Sequence, residues 1–177
     1  MSTLNDLGPR ICILGPSNSG KSTLADAIAR KQGWPVVHLD QLFHLPQSDW
    51  VPRPEEEFRQ LHDEAIRQEQ WVMDGNYTRT LPQRLSRATG VILLDISTTT
   101  SLWRYLRRTW FEPDRKGALG GGKDSVKWQM LHHIAIVTPR NRRRYADLYE
   151  QLTIPKCKLT TTKDLNLFYQ AEQLVRR

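Results

Sequence analysis

One segment of the chain has the residue types and spacing of a phosphate-binding loop. Gly-Pro-Ser-Asn-Ser-Gly-Lys-Ser at 15–22 matches the pattern G-x-x-x-x-G-K-[ST] in full. Its glycines let backbone N–H groups curl around phosphate oxygens, and a helix that follows directs its positive end at the same anion. The pattern predicts that these residues bind a nucleotide through its phosphates: Gly15, Pro16, Ser17, Asn18, Ser19, Gly20, Lys21 and Ser22.

The last two residues of the loop carry its chemistry. Lys21 is predicted to bridge the β- and γ-phosphates of ATP or a similar nucleotide, and the Ser22 hydroxyl to ligate Mg²⁺. A flexible glycine turn without a ligand is the alternative interpretation. It explains neither the lysine nor the position of the loop between an apolar run and a helical pattern.

The elements that must position this loop alternate between strands and helices. Short apolar runs predict strands, and apolar residues at helical spacing follow most of them; the runs are 11–14, 36–39, 71–73, 91–96 and 156–160. This alternation predicts one α/β domain over residues 1–177, a three-layer αβα sandwich with a mostly parallel sheet. Ligands of such sheets bind at the C-terminal edge of the strands. Gly15, Asp40, Asp74 and Ile96 should therefore line one cleft.

Two aspartates stand at that edge. Asp74 ends the third predicted strand, where its carboxylate can hold Mg²⁺ or bind a phosphate acceptor, although Asp-Gly is also an ordinary turn. Asp40 closes the second predicted strand. It can accept a proton from the hydroxyl that receives phosphate, or hydrogen-bond it, and its alternative role is an N-cap or turn residue.

A glycine-rich segment interrupts the alternation. Residues 117–123 contain four glycines in seven positions, and we predict that they form the tip of a mobile lid insertion at about 111–139. Arginines at helical spacing flank the tip: Arg104, Arg107 and Arg108 before it, and Arg140, Arg143 and Arg144 after it. Arginines that close over a transferring phosphoryl group stabilise its charge. Two solvated basic faces are the alternative interpretation.

The composition limits the class of protein. Hydrophobic residues make up 38% of the chain, and no apolar segment is long enough to span a bilayer, so we expect a cytoplasmic protein without membrane contact. Cys12 and Cys157 lie in apolar or β-prone runs and are expected to be reduced and buried. The net charge of +7 is compatible with a polyphosphate ligand or with a nucleic-acid backbone.

Together, the phosphate loop, Asp74-Gly75 and the arginines on both sides of the glycine-rich tip make the chain resemble the adenylate-kinase-like P-loop kinases over nearly its whole length. Within that group, three segments are similar to the bacterial branch named topology modulation protein: His38-Leu39-Asp40, Trp50, and the run Trp-Val-Met-Asp-Gly-Asn-Tyr at 71–77.

The resemblance implies a five-stranded sheet in the order 2-3-1-4-5, an ATP site that extends from Gly15 to Thr23, and an acceptor site between Asp40 and Asp74. It also implies that adenine lies between the first lid helix and the loop at 161–164. The lid arginines would be Arg104, Arg108, Arg140 and Arg143. Where adenylate kinases usually continue Asp-Gly with Phe-Pro-Arg, this chain has Asn76, Tyr77 and Thr78, so a nucleoside monophosphate acceptor is not implied.

Two functions follow from these patterns. The favoured one is a phosphotransferase that uses ATP and Mg²⁺ on a small-molecule acceptor. The other is a nucleic-acid-associated or regulatory ATPase whose positive charge contacts the phosphate backbone. The sequence contains no helix-turn-helix, zinc-finger or RNA-binding signature in support of the second.

Overall fold

The computed structural model of the chain describes residues 2–48, 50–97, 100 and 138–176, and only the backbone at 138–141. The strands are β1 (Arg10–Leu14), β2 (Val36–His38), β3 (Trp71–Asp74), β4 (Gly90–Leu94) and β5 (Lys156–Leu159). The helices of the described part are α1 (Leu4–Leu7), α2 (Lys21–Gln32), α3 (Leu39–Phe43), α4 (Glu55–Arg67), α5 (Leu81–Arg87), α6 (Thr138–Gln151) and α7 (Thr162–Ala171).

The five strands form one parallel sheet in the order β2-β3-β1-β4-β5. The predicted α/β class and the strand order are therefore confirmed. Strand β1 lies at the centre, where Arg10 pairs with Trp71 of β3 and Ile11 pairs with Gly90 of β4. The phosphate loop leaves the C-terminal end of this central strand, at the sheet edge where ligands of parallel sheets bind.

The helix ends follow local sequence signals. Gly33 ends α2 in the left-handed conformation (φ 69°), and its N–H donates to the Ala29 carbonyl. Pro54 precedes α4, whose first turn carries three glutamates at the positive end of the helix. Thr161 and Asp164 form a capping box at the start of α7.

Both faces of the sheet are covered by helices, which divides the core in two. One cluster packs Ile11, Ile13 and Val72 against α2 and α7. The other packs Cys12, Leu14, Trp71 and Met73 against side chains of α4 and α6, including Phe58 and Tyr145. Cys12 and Cys157 are buried free thiols, as expected from the sequence. No helix in the described ranges is long and apolar enough to cross a membrane.

Three predicted strand ends were wrong by one or two residues. Strand β5 ends at Leu159 rather than at residue 160. Strand β2 ends at His38, which pairs with Asp74, the last residue of β3, so Leu39 has no strand partner and begins helix α3 instead. Asp40 therefore lies in the first turn of α3 and not at a strand end. Strand β4 ends at Leu94 rather than Ile96.

Candidate functional site

The phosphate loop joins β1 to α2 and contains three residues with positive φ: Gly15 (146°), Asn18 (61°) and Gly20 (99°). A Cβ atom on Gly15 would lie 2.4 Å from the Leu94 carbonyl oxygen, so only glycine fits there. Gly20 is the N-cap of α2. The loop therefore curls tightly between the centre of the sheet and the positive end of α2, the arrangement that binds phosphate in such loops.

Lys21 and Ser22 begin helix α2. The Lys21 ammonium group folds back over the loop, and Nζ donates to the Pro16 carbonyl at 2.7 Å. The Ser22 hydroxyl donates to Asp74 Oδ2 at 2.7 Å. The structure thus brings together the two residues for which the sequence predicted a shared metal ion, and the metal-binding role itself stays a prediction.

Asp74 is buried and also contacts His38, a residue with no predicted role in the site. His38 Nδ1 lies 2.5 Å from Asp74 Oδ1, and His38 Nε2 lies 3.4 Å from Asp26 Oδ1 of α2. Burial acts to lower the pKa of His38, but Asp74 and Asp26 outweigh it, so the net effect raises that pKa. His38, which lies between two carboxylates, therefore holds one oxygen of Asp74 while Ser22 holds the other.

The side chain of Asn76 makes two hydrogen bonds to the backbone of Gly15, the first residue of the phosphate loop. Its Nδ2 donates to the Gly15 carbonyl at 2.9 Å, and its Oδ1 accepts from the Gly15 N–H at 3.3 Å. The Gly75 N–H donates to the Ile13 carbonyl of β1. The segment after β3, which departs from the adenylate kinase pattern, is therefore in direct contact with the loop.

Asp40, the predicted acceptor-binding aspartate, is exposed and pairs with Tyr77. The Tyr77 hydroxyl donates to Asp40 Oδ1 at 2.6 Å. Burial and the charge of Asp40 raise the pKa of Tyr77 well above its usual range, so this hydroxyl remains a donor. The ring of Tyr77 packs against Phe43 and Phe58, with centroids 4.9 and 5.3 Å away. These rings fix the tyrosine beside the carboxylate.

The structure describes only some of the predicted lid arginines. Arg104, Arg107, Arg108 and the lid at 111–139, apart from the first two residues of α6, lie outside the described residues. Arg140 belongs to the first turn of α6, and Arg143 and Arg144 further along it are exposed. The neighbouring Arg142 was missed: its Nε donates to Asp95 Oδ1 at 2.7 Å, just beyond the end of β4.

Solved structures share this arrangement of strands and helices. Shikimate kinase from Acinetobacter baumannii in complex with shikimate matches with a TM-score of 0.57 and 16% identity, over 95% of this chain and 93% of that one. Shikimate kinase from Bacteroides thetaiotaomicron matches with a TM-score of 0.54 and 18% identity, over 93% and 96%. A gluconokinase from Sinorhizobium meliloti 1021 matches with a TM-score of 0.50 and 13% identity, over 94% and 95%.

Sequence comparison adds no closer relative, since no protein-family model and no curated protein matches the chain. At these identities the solved structures describe the fold, while the chemistry depends on the side chains of the individual site. The parallel sheet in the order β2-β3-β1-β4-β5, with the glycine loop after its central strand, gives this chain the α/β fold of the P-loop kinases.

Proposed function

We propose that the chain is an ATP- and Mg²⁺-dependent phosphotransferase that transfers the γ-phosphoryl group to a hydroxyl group of a small acceptor. The observation that carries the proposal is the 2.7 Å contact between Ser22 of the phosphate loop and Asp74 at the end of β3. A hydroxyl and a carboxylate at the mouth of a phosphate loop are the protein ligands that Mg²⁺ uses beside nucleotide phosphates.

The donor set fits Mg²⁺ better than a metal that needs an all-protein cage. The described part of the chain contains no cluster of three or more His, Cys, Asp or Glu side chains able to hold a metal. Mg²⁺ usually keeps several waters and is bound through one or two protein oxygens together with substrate phosphates. Ser22 and Asp74 would supply those oxygens, and the bound ion would neutralise negative charge on the β- and γ-phosphates.

Lys21 supplies the second positive charge. Its ammonium group lies 2.7 Å from the Pro16 carbonyl, inside the curve of the loop. A phosphate oxygen would be a stronger partner than a neutral carbonyl because the hydrogen bond is then charged on both sides. We therefore assign Lys21 to the terminal phosphates, together with the other residues of 15–23 and the positive end of α2.

Asp40 and Tyr77 would receive the acceptor. Tyr77 occupies one oxygen of the carboxylate, and because Asp40 is exposed, its other oxygen can accept a hydrogen bond from the acceptor hydroxyl. As the new bond between that oxygen and the γ-phosphorus forms, the bond from phosphorus to the β–γ bridging oxygen breaks, ADP leaves, and the hydroxyl proton passes to Asp40. We assign Asp74, already held by His38 and Ser22, to the same acceptor site.

Arginines complete the proposal. Negative charge spreads over the transferred group, and Arg104, Arg108, Arg140 and Arg143 are assigned to stabilise it from a lid at about 111–139. Arg143 is exposed on α6 and therefore available to an anion. We likewise propose that residues 1–177 form a single domain that carries this lid as an insertion.

The proposal also covers the class of acceptor and the branch of the P-loop kinases to which the chain is assigned. A shikimate kinase and a gluconokinase share this fold, which supports a small molecule as the acceptor. We also retain the bacterial branch named topology modulation protein. In its support, two residues of the segments that carry that resemblance, His38 and Asn76, contact Asp74 and Gly15 at the site.

The test is an ADP-release assay with ATP, Mg²⁺ and a panel of polyols, sugar acids, nucleosides and nucleoside monophosphates. We expect ADP release that depends on one acceptor class and is lost in Asp40→Asn, but not in Asp147→Asn, which changes an exposed aspartate on α6. ADP release that requires no acceptor, survives Asp40→Asn and is stimulated by duplex DNA would overturn the proposal in favour of the ATPase.

A further inference from the structure

A buried arginine lies behind the site and takes no part in the proposed chemistry. Arg84 of helix α5 is 1% exposed. One guanidinium nitrogen, Nη2, donates to the Asn76 carbonyl at 2.7 Å. The other two, Nε and Nη1, have no hydrogen-bond partner among the described residues. Arginine is rarely buried to this extent without a carboxylate, so its position needs an explanation.

A gain in stability does not explain why Arg84 is buried. Burial lowers the pKa of Arg84, against the opposing influence of Cys12, Tyr145 and Asp74, which means that the surroundings penalise the charged form. Apolar residues of similar volume often replace buried charged groups without loss of stability, or with a gain. A buried guanidinium whose Nε and Nη1 have no hydrogen-bond partner among the described residues therefore points to a geometric requirement at its contact with Asn76.

That contact leads to the phosphate loop in two steps. Arg84 binds the main-chain carbonyl of Asn76, and the Asn76 side chain binds both the N–H and the carbonyl of Gly15. On its other side the backbone of Gly15 closely approaches β4, because a Cβ placed on Gly15 would lie 2.4 Å from the Leu94 carbonyl oxygen. The first residue of the loop is thus held between β4 and the segment that follows β3.

We propose that Arg84 is a positioning residue for the phosphate loop: it fixes Asn76, and Asn76 fixes the backbone of Gly15. That this positioning affects ATP affinity rests on the proposed function. That it holds the backbone of the loop in place does not. Helix α5 would then set the position at which the loop begins, across a separation of 61 residues between Asn76 and Gly15.

The experiment compares Arg84→Met, Arg84→Lys, Asn76→Ala and the double variant Arg84→Met/Asn76→Ala with wild type. Arg87→Met is the matched control, because Arg87 lies on the same helix and donates to the Ile66 and Arg67 carbonyls, away from the loop. Two quantities are measured: the exchange rate of the Gly15 amide hydrogen in nucleotide-free protein, and the affinity for ATP. The melting temperature without nucleotide is recorded for each variant.

We expect Arg84→Met to speed Gly15 exchange about tenfold and to weaken ATP binding about tenfold, as for the loss of one good hydrogen bond. Asn76→Ala should do the same, and the double variant should add nothing to it, because both changes break one chain of contacts. Arg84→Lys keeps a donor and should lie between wild type and Arg84→Met. Arg87→Met should change neither quantity.

Additive effects in the double variant, or Gly15 exchange that changes only in step with global unfolding, would overturn the proposal. So would failure of both Arg84 variants to fold, since Arg84 would then serve folding and not loop position. If wild-type protein binds no ATP, the proposed function fails, while Gly15 exchange still decides the role of Arg84.

Discussion

Ser22 and Asp74 are 52 residues apart in the chain, and their side-chain oxygens are 2.7 Å apart in the fold. Ser22 lies at the start of α2, which follows the central strand, and Asp74 ends the strand beside it. The other oxygen of Asp74 is held by His38. The carboxylate of Asp74 is thus oriented on both sides, which is the preorganisation that the proposed Mg²⁺ site would require.

The first prediction concerns this pair. Asp74→Asn keeps the size of the side chain and removes its charge, so it should lower kcat by about 10²-fold and raise the Mg²⁺ concentration needed for half-maximal turnover. A magnesium titration of ATP turnover measures both. Asp147→Asn, an exposed change on α6, is the control. A magnesium titration of Asp74→Asn that superimposes on the wild-type curve would contradict the assignment.

The second prediction concerns Lys21. Lys21→Ala removes the charge assigned to the terminal phosphates and should reduce ATP turnover by about 10³-fold or more. The fold should persist because Lys21 lies outside both core clusters. Turnover and the circular dichroism spectrum are compared with those of Lys163→Ala, an exposed lysine on α7. Normal turnover in folded Lys21→Ala would remove the phosphate loop from the mechanism.

The third prediction separates two glycines that both have positive φ. A Cβ atom added to Gly33 would meet nothing within 4 Å, so Gly33→Ala should cost only the backbone strain, about 1 kcal/mol of unfolding free energy. In Gly15→Ala the new Cβ would also overlap the Leu94 carbonyl, which should cost more than about 3 kcal/mol. Urea denaturation of the two variants measures the difference. Equal losses would show that the overlap is relieved by a small shift of the backbone.

The fourth prediction concerns pH. Burial lowers the pKa of His62 on α4 below the ordinary value of 6.5, with Asp63 opposing and Arg84 adding to the effect. The unfolded chain therefore binds a proton at a higher pH than the folded chain does. As pH falls through 6.5, the contribution of His62 should reduce the free energy of unfolding.

His62→Gln removes this titration, so the difference between wild type and variant is the quantity to measure. Urea denaturation between about pH 8 and about pH 5.5 should show wild type losing stability relative to His62→Gln as the pH falls. Parallel curves over this range would mean that folding leaves the pKa of His62 unchanged.

The sequence predicted those parts of the molecule that depend on local pattern. Apolar runs located the strands, and the glycine motif located the loop after β1, because these signals lie within one element. The order of the strands came only from the resemblance. Helix α1 was not predicted, since its burial rests on just Leu4 and Leu7.

The contacts around the site depend on how elements pack, and most of them were missed. Asp26 stands one helical turn after Ser22, a spacing that places both on one face of α2, and this signal was available. His38 and Asn76 gave no signal of their own, since their partners lie on other elements. Arg84 is buried, whereas its residue type predicts a surface position, because arginine usually lies at the surface.

The position of β1 at the centre of the sheet also affects how the chain folds. Strand β1 is the first strand described, yet both of its neighbours, β3 and β4, follow much later in the chain. Pairing over such separations requires closing long loops before any contact forms, which slows folding. On a ribosome, β1 would emerge with both edges unpaired and remain so until β3 had been synthesised, an interval in which a chaperone or a second nascent chain can reach it first.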